Sequence, residues 1–401
     1  MTRQTFHVAI IGAGLGGLCL AQALHKQGIS FAVYERDAAA DSRRQGYRIR
    51  IDETGQRALA AALPSELNRL FRQTCAVSGS AGQFLDPQLA PVGGRPSETW
   101  QPSIVTDGDR AADPVGDLSA NRQTLREILL SGIADRVHFG RGFHHVEQAD
   151  GGGVAIWFDD GSACDADLLV AADGVTSVVC RQRFPRMRPI DTGAACIYGK
   201  AGRAQAAAVA DVLLSGTSVI FADDFAVIVD AMSFRFPVDA IGLTPAEDYL
   251  YWAVIGPRAV LGLHDDRLGQ RDGMTLRAVV ERLAAPWAEG LRALFAAADP
   301  STVTALPIRS AGRLTPWTAS RVTALGDAIH AMSPAGGVGA NTALDDAVCL
   351  AGLLAGVSDA GIPLLEAIAA YEDDMRRRAN AAIEASTQGA RRLFREAVAS
   401  L

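Results

Sequence analysis

Two glycine-dense stretches carry the residues whose types and spacing could do chemistry. The first, GAGLGG, sets Gly12, Gly14 and Gly17 in the pattern G-x-G-x-x-G, and Glu35 lies eighteen residues past Gly17 (35 − 17). One such glycine makes a tight turn, one admits a pyrophosphate to the backbone, and one lets helix and strand pack closely. The N–H groups of a helix start offer about half a positive charge to phosphates. A carboxylate at this distance accepts ribose hydroxyls and disfavours a 2′-phosphate, which leaves NAD or FAD. The second stretch, GDAIHAMSPAGGVGAN, places Asp327 at the exit of an apolar run, with Pro334, Gly336, Gly337, Gly339, Ala340 and Asn341 after it. Backbone this bare can lie against a flat group, and a helix N-terminus aimed at that group would stabilise negative charge on it.

Two shorter stretches add to these. SANRQTLREILL puts Arg122 at a helix start, where the dipole disfavours a cation; it is either solvated or held by an anionic or polar ligand. DLLVAADGVTSVVC ends an apolar run in Asp173-Gly174, which on its own is only a turn. His330 reads most simply as a structural histidine, and His144-His145 as the two faces of a strand rather than a metal site.

These residues need particular elements to hold them. The pattern predicts a strand from Phe6 to Ile11, a helix to about Gln27 stopped by Gly28, and a second strand from Phe31 to Tyr34. Asn121 or Ser119 caps the helix that carries Leu125, Ile128 and Leu129. Leu168 to Ala171 and Arg321 to Leu325 read as further strands, Ser177 as a helix start, and Asn341 with the stretch Leu344 to Leu354 as a helix. Proline, glycine and aspartate thicken between Ser78 and Gly116, which reads as loops around a short strand or two on the substrate side. Strand-like runs occupy roughly 182–300, with helix near Leu276 to Phe295, and an amphipathic helix runs from Pro363 towards Glu396. Its charged run Asp373 to Arg378 reads as a solvated face with no part in binding.

The set GAGLGG…E, NRxxLRxxL, ADGxxS and GDAxHxxxPxxGxGxN resembles the class A FAD-dependent aromatic monooxygenases, the para-hydroxybenzoate hydroxylase-like family. NRQTLREILL and the tail YEDDMRRRANAAIEASTQ look most like the tetracycline-inactivating monooxygenases. The resemblance implies an α/β fold: a Rossmann-like FAD-binding domain with an inserted mixed β-sheet substrate domain and a C-terminal helix. The FAD-binding parts would be 1–75, 119–181 and 301–357. Residues 76–118 would lie on the substrate side, 182–300 would bind substrate, and 358–401 would form the helical end.

It also implies roles. Gly12, Gly14 and Gly17 would cradle the pyrophosphate of non-covalent FAD, with Glu35 on the adenosine ribose. Arg36, Arg44 and Gly46 would flank the cofactor, and Arg122 would reach its phosphate or ribityl side. Asp173 would serve both FAD and NAD(P)H, and Asp327 would bind ribityl hydroxyls or pyrophosphate. Pro334, Gly336, Gly337, Gly339, Ala340 and Asn341 would line the isoalloxazine. One departure stands out: Cys180 holds the place of the arginine usual in D-G-x-x-S-x-x-R, which weakens the expectation for NAD(P)H. Substrate contacts are sought among Arg48, Arg50, Phe221, Asp223, Phe225, Met232 and Arg235, with Phe221, Asp223 and Phe225 on one face of a strand. No catalytic base can be named.

The expected activity is NAD(P)H- and O2-dependent hydroxylation of an aromatic or polycyclic small molecule through a C4a-hydroperoxyflavin, with NAD(P)H a transient co-substrate. The rivals are a non-oxygenating flavin oxidoreductase on the same fold and a flavin-binding pathway protein without turnover. A halogenase would need an active-site lysine and a WxWxIP-like stretch; only Lys26 and Lys200 are lysines, and the tryptophan motif is missing.

Bulk properties agree. A chain of 401 residues is long for one core. A net charge of −7 argues against nucleic acid and anionic membrane partners. None of the six cysteines forms a CxxC pair, which fits a reducing cytoplasm. Val8 to Leu24 imitates a signal peptide but carries four glycines, and no other stretch approaches a membrane span of roughly 20 apolar residues. A cytoplasmic monomer or dimer is expected.

Overall fold

The apolar run His7–Ile11 is buried over all but its first residue, as expected of a strand covered on both faces. It is the central strand of five, all parallel, in the order Val322–Ala324, Leu168–Ala171, His7–Ile11, Ser30–Glu35, Val137–Phe139. The computed structural model describes residues 6–42, 46–77, 82–93, 116–149, 152–234, 243–263 and 268–393. Most of the loop-rich stretch expected to cover the substrate side lies outside them; of it, Gln83–Leu85 is a strand.

The helix Leu15–Lys26 follows the first strand and packs against the helix Gly339–Ala360. That second helix spans 22 residues and by length and composition could cross a membrane, contrary to the expectation that no such stretch exists. It is instead a core helix: Leu344, Ala347, Leu350, Ala351 and Leu354 are fully buried. It starts two residues before Asn341, within the glycine-rich loop itself.

A second sheet of six strands has the order Thr304–Ser310, Ile190–Gly202, Tyr249–Pro257, Ala226–Met232, Thr217–Phe221, Gln83–Leu85. All its pairings are antiparallel except the last. Alternation along the strands gives it two different faces. Val227, Val229, Trp252 and Val254 pack into one core with the helices Gly273–Leu283 and Glu289–Ala296. Tyr198, Ala226, Ile228, Ala253 and Ile255 pack on the other side with Ala335 of the glycine-rich loop and Ala390 of the last helix. The sheet is therefore bound to the dinucleotide half through the loop that the sequence singled out. A short pair, Ile49–Ile51 with Leu118–Ala120, and a meander, Phe143–Gln148, Val154–Phe158 and Ala163–Ala166, complete the β-structure of the described residues.

The last helix, Leu364–Leu393, corrects one expectation. Arg377 is 71% exposed, but its neighbours turn inward. Arg376 lies over the Trp317 ring at 4.9 Å. Arg378 pairs with Asp345, Asp346 and Asp374 at 3.3, 2.9 and 2.6 Å. Five charges within six consecutive residues of a helix with 3.6 residues per turn spread over every face, so part of the run must point at the core.

Candidate active site

The strand-to-helix turn shows why its glycines differ. Gly12 has φ +111°, and a Cβ there would drive into the Ala172 carbonyl of the neighbouring strand. A Cβ on Gly17 would collide with the Gly12 carbonyl oxygen. Both are required by packing. A Cβ on Gly14 would meet nothing within 4 Å, and Gly14 lines a cavity of about 310 Å³. The helix behind it has no side-chain cap and no acidic residue in its first turn, so its donors stay open to an anion. Glu35, only 7% exposed, accepts from the Ala13 and Asp37 amides at 2.8 and 3.0 Å and ties the turn to the second strand.

The glycine-rich loop forms the opposite wall. Gly326 and Gly337 have φ +60° and +63°, the left-handed region that favours glycine. Asp327, Pro334, Gly337, Gly339 and Ala340 line the same cavity as Gly14, and so does Arg122. Arg122 leads the helix Arg122–Leu130, which Asn121 caps by accepting from the Gln123 and Thr124 amides; its stem lies so close to Gly46 that a Cβ there would stand 2.7 Å away. Gly336 packs on Ser386 and lies just behind the cavity lining.

Asn341 departs from the expected ring contact. Its Oδ1 accepts from the Asp52 amide, and its Nδ2 donates to the Arg50 and Gly337 carbonyls, each at 3.1 Å. The side chain is spent on clamping three backbone segments, so it positions the loop rather than lining the cavity. Asp173 is likewise outside the lining; it accepts from the Val178 amide at 2.8 Å, while Gly174 beside it lines the cavity. Arg36 is exposed, and Gly46 borders a separate groove of about 810 Å³. Arg44 and Arg235 lie outside the described residues.

Burial pushes the Asp327 carboxyl above its usual range, opposed by His330 and Arg122; solvent reaches the side chain through the cavity, which limits the effect. Burial alone would lower the His330 imidazole, but Asp346 at 2.5 Å reverses this and holds it above its ordinary value in a fully buried pair. Asp346 also accepts from the Gly326 amide at 3.1 Å, so the pair fixes the turn that presents Asp327.

On the substrate side, Arg48 and Arg50 line the cavity. The others do not. Phe225 stacks on Trp287 at 5.6 Å in the helix-covered core, and Phe221 tilts on Phe84. Residues 222–225 are a hairpin turn, closed by the Ala222 amide donating to Phe225, so the alternation assumed for Phe221, Asp223 and Phe225 breaks there. Asp223 is not among the cavity-lining residues, and Met232 joins a cluster with Ala76 and Tyr249. The sheet wall is formed instead by Cys196, Ile228, Tyr251 and Ile255, which the sequence reading missed. The alternation in YLYWAVI separates two faces but does not say which one meets a ligand.

A neighbouring cavity of about 320 Å³ lies beyond Gly174. It is lined by Ser177, Arg181, Arg188 and Arg309, with Asp191, which is paired to Arg258 at 2.9 Å. Arg181, one place after the cysteine that replaces the usual arginine, supplies a cation here.

Residues 10–52 match the NAD(P)-binding Rossmann-like domain and residues 261–386 the FAD binding domain. A solved structure from Photorhabdus luminescens, described as an FAD-containing monooxygenase, is 31% identical and superposes with a TM-score of 0.81 over 97% of this chain and 99% of that one. The chain belongs to the FAD-dependent monooxygenases. The dual O-methyltransferase/FAD-dependent monooxygenase elcB of Phaeosphaeria nodorum is 32% identical over 98% of this chain but 46% of its own length. This chain thus spans about half the length of the dual O-methyltransferase/FAD-dependent monooxygenases that it matches. The FAD-dependent urate hydroxylase of Klebsiella pneumoniae is 28% identical over 89% of this chain and 83% of its own.

The cavity suits the cofactor of this FAD-dependent family. Open helix donors beside Gly14 suit a diphosphate, Asp327 suits the hydroxyls of a ribityl chain, and the uncluttered backbone from Pro334 to Ala340 suits a planar ring.

Proposed function

We propose that the chain is an NAD(P)H- and oxygen-consuming monooxygenase that hydroxylates an aromatic or polycyclic small molecule. One observation carries the reading: the Gly14 cradle, Asp327, the Pro334–Ala340 backbone and the sheet wall of Cys196, Ile228, Tyr251 and Ile255 all border a single cavity. FAD, when bound, supplies the two-electron chemistry and the activation of oxygen. The chain's residues do the rest. Gly12, Gly14 and Gly17 bring the helix start up to the diphosphate, Glu35 reaches towards the ribose, and Arg122 and Asp327 hold the linking chain. Pro334, Gly337 and Gly339 bound the ring, and the apolar sheet wall excludes water from the reacting atoms.

In this reading segments 1–75, 119–181 and 301–357 serve FAD, and 182–300 serve substrate. The three arginines beyond Gly174 suit the phosphates of a visiting NAD(P)H. Six free thiols suit a reducing compartment, and a cytoplasmic location goes with it.

The test is a screen of hydroxylated aromatic and polycyclic compounds for stimulated NAD(P)H oxidation, followed by turnover under isotope-labelled oxygen. One labelled atom should enter the product. Product oxygen drawn from water, or product formed equally well without oxygen, would sink the monooxygenase reading in favour of the reductase. Bound flavin that NAD(P)H never bleaches would favour a protein without turnover.

A further inference from the structure

Two sulfur atoms border the cavity, and they differ in what they can react with. Cys196 sits in the sheet wall, and Met332 lies in the glycine-rich loop between Asp327 and Pro334. Burial pushes the Cys196 thiol up to about 12, so at neutral pH almost none of it is the thiolate that attacks peroxides. A thioether has no proton to lose, and its sulfur is oxidised to a sulfoxide whatever the pH.

The loop holds Met332 in place. The Ala311 amide donates to the Ala331 carbonyl at 2.7 Å and pins the chain just before it. A Cβ on Gly339 would stand 3.4 Å from Met332 Cγ and 3.8 Å from both Met332 Sδ and Asp327 Oδ1. The thioether therefore lies against the first turn of the helix Gly339–Ala360, beside the Asp327 carboxylate, and that helix start has no side-chain cap. The other described methionines stand elsewhere. Met232 and Met375 have no exposed surface, and Met187 borders the smaller neighbouring cavity. Met274 is 68% exposed, on the helix Gly273–Leu283 that covers the opposite face of the six-stranded sheet.

We propose that Met332 is an oxidation site built into the cavity. Hydrogen peroxide, formed there when reduced FAD passes its electron pair to oxygen and no substrate takes up an oxygen atom, converts the Met332 thioether to the sulfoxide before it escapes. The sulfur lone pair attacks one peroxide oxygen, the O–O bond breaks, and the second oxygen leaves as water with both protons; the thioether loses two electrons and the peroxide gains them. The sulfoxide oxygen is a new acceptor at the open amides of the helix start, where it competes with the cofactor and lowers FAD affinity. A protein that reduces oxygen without using it thus shuts itself down, and a methionine sulfoxide reductase restores it. The inference rests on FAD occupying this cavity, and on neither NAD(P)H nor any particular substrate.

The test takes FAD-loaded protein, with catalase in the medium to destroy escaped peroxide, through cycles of anaerobic reduction by stoichiometric dithionite and reoxidation in air. Peptide mass spectrometry then maps the methionines. Met332 should gain one oxygen severalfold faster than Met274. A bolus of hydrogen peroxide, given to the oxidised protein without catalase, should reverse that order, with exposed Met274 first. Met274 leading or keeping pace during the cycles, or Met332 left unmodified while the flavin reoxidises, would overturn the proposal. Met332→Leu, close to methionine in volume, should keep its flavin through cycles in which the parent's FAD affinity falls. Equal loss in both would overturn the link from oxidation to cofactor release. Flavin that dithionite reduces but NAD(P)H never bleaches would count against the activity reading alone, because these cycles do not use NAD(P)H.

Discussion

Asp327 and Arg122 both line the cavity, and the Arg122 charge bears on the Asp327 carboxyl. Asp327→Ala should weaken FAD binding by about 1.5–3 kcal/mol, the worth of a hydrogen bond to a charged group. Arg122→Ala should weaken it too, since a guanidinium at a helix start is electrostatically out of place without an anion. Flavin titration of the apoproteins measures both, and parental affinity in either variant removes that residue from the cofactor's binding set. At this scale the sequence was informative where an odd residue stood at an element's end beside the cavity: Asp327 after a strand and Arg122 at a helix start. It was uninformative for side chains spent on backbone. Asn341 looks in sequence like any ligand-facing amide, and only the folded chain brings Asp52, Arg50 and Gly337 to it.

Elements separate glycines that a motif treats alike. Gly17→Ala should cost the protein stability, because the new methyl group collides with the Gly12 carbonyl. Gly14→Ala should leave thermal stability within about 0.5 kcal/mol of the parent, as expected where no neighbour is displaced, yet should lower flavin content. Thermal melts beside flavin absorbance distinguish the two, and equal loss of stability would contradict the geometry of the turn. Gly337 belongs to a third kind: at φ +63°, with Arg50 Nη1 3.4 Å from where a Cβ would stand, a branched replacement strains the loop itself as well as crowding the ring site. Strand and helix periodicity made nearly every element of the parallel sheet legible, because covered strands are continuous apolar runs with glycine at their ends. The second sheet was legible as strands but not as a surface. Its two faces are both apolar, so Phe225 on the helix side and Ile228 on the cavity side carry the same signature.

The molecule is held by contacts between elements far apart in the chain. Arg378 near the close of the chain reaches Asp346, which reaches His330 and the Gly326 amide. Arg378→Met should therefore destabilise the protein by about 1–3 kcal/mol, since it takes the donor from Asp346 Oδ1, which has no solvent exposure, while His330 and the Gly326 amide still hold Oδ2. Arg377→Ala, one residue away on the exposed face, should change little. Denaturant midpoints compare the two, and a near-parental Arg378 variant would show that the network bears no strain. The same long reach governs how the protein is made. The middle strand of the parallel sheet is the first to be synthesised, but one of its partners is Leu168–Ala171 and that strand's other partner is Val322–Ala324. The clamp that fixes the ring-facing loop comes later still, at Asn341. At about 5–20 residues per second, a ribosome takes on the order of tens of seconds to pass from one to the other. Throughout that interval the nascent chain carries a half-built sheet with bare edges, which makes it a client for chaperones and a hazard for aggregation. Supply of riboflavin-derived cofactor cannot relieve this early phase, because no pocket yet exists to receive it; extra flavin in an expression culture should rescue completed chains and not stalled ones.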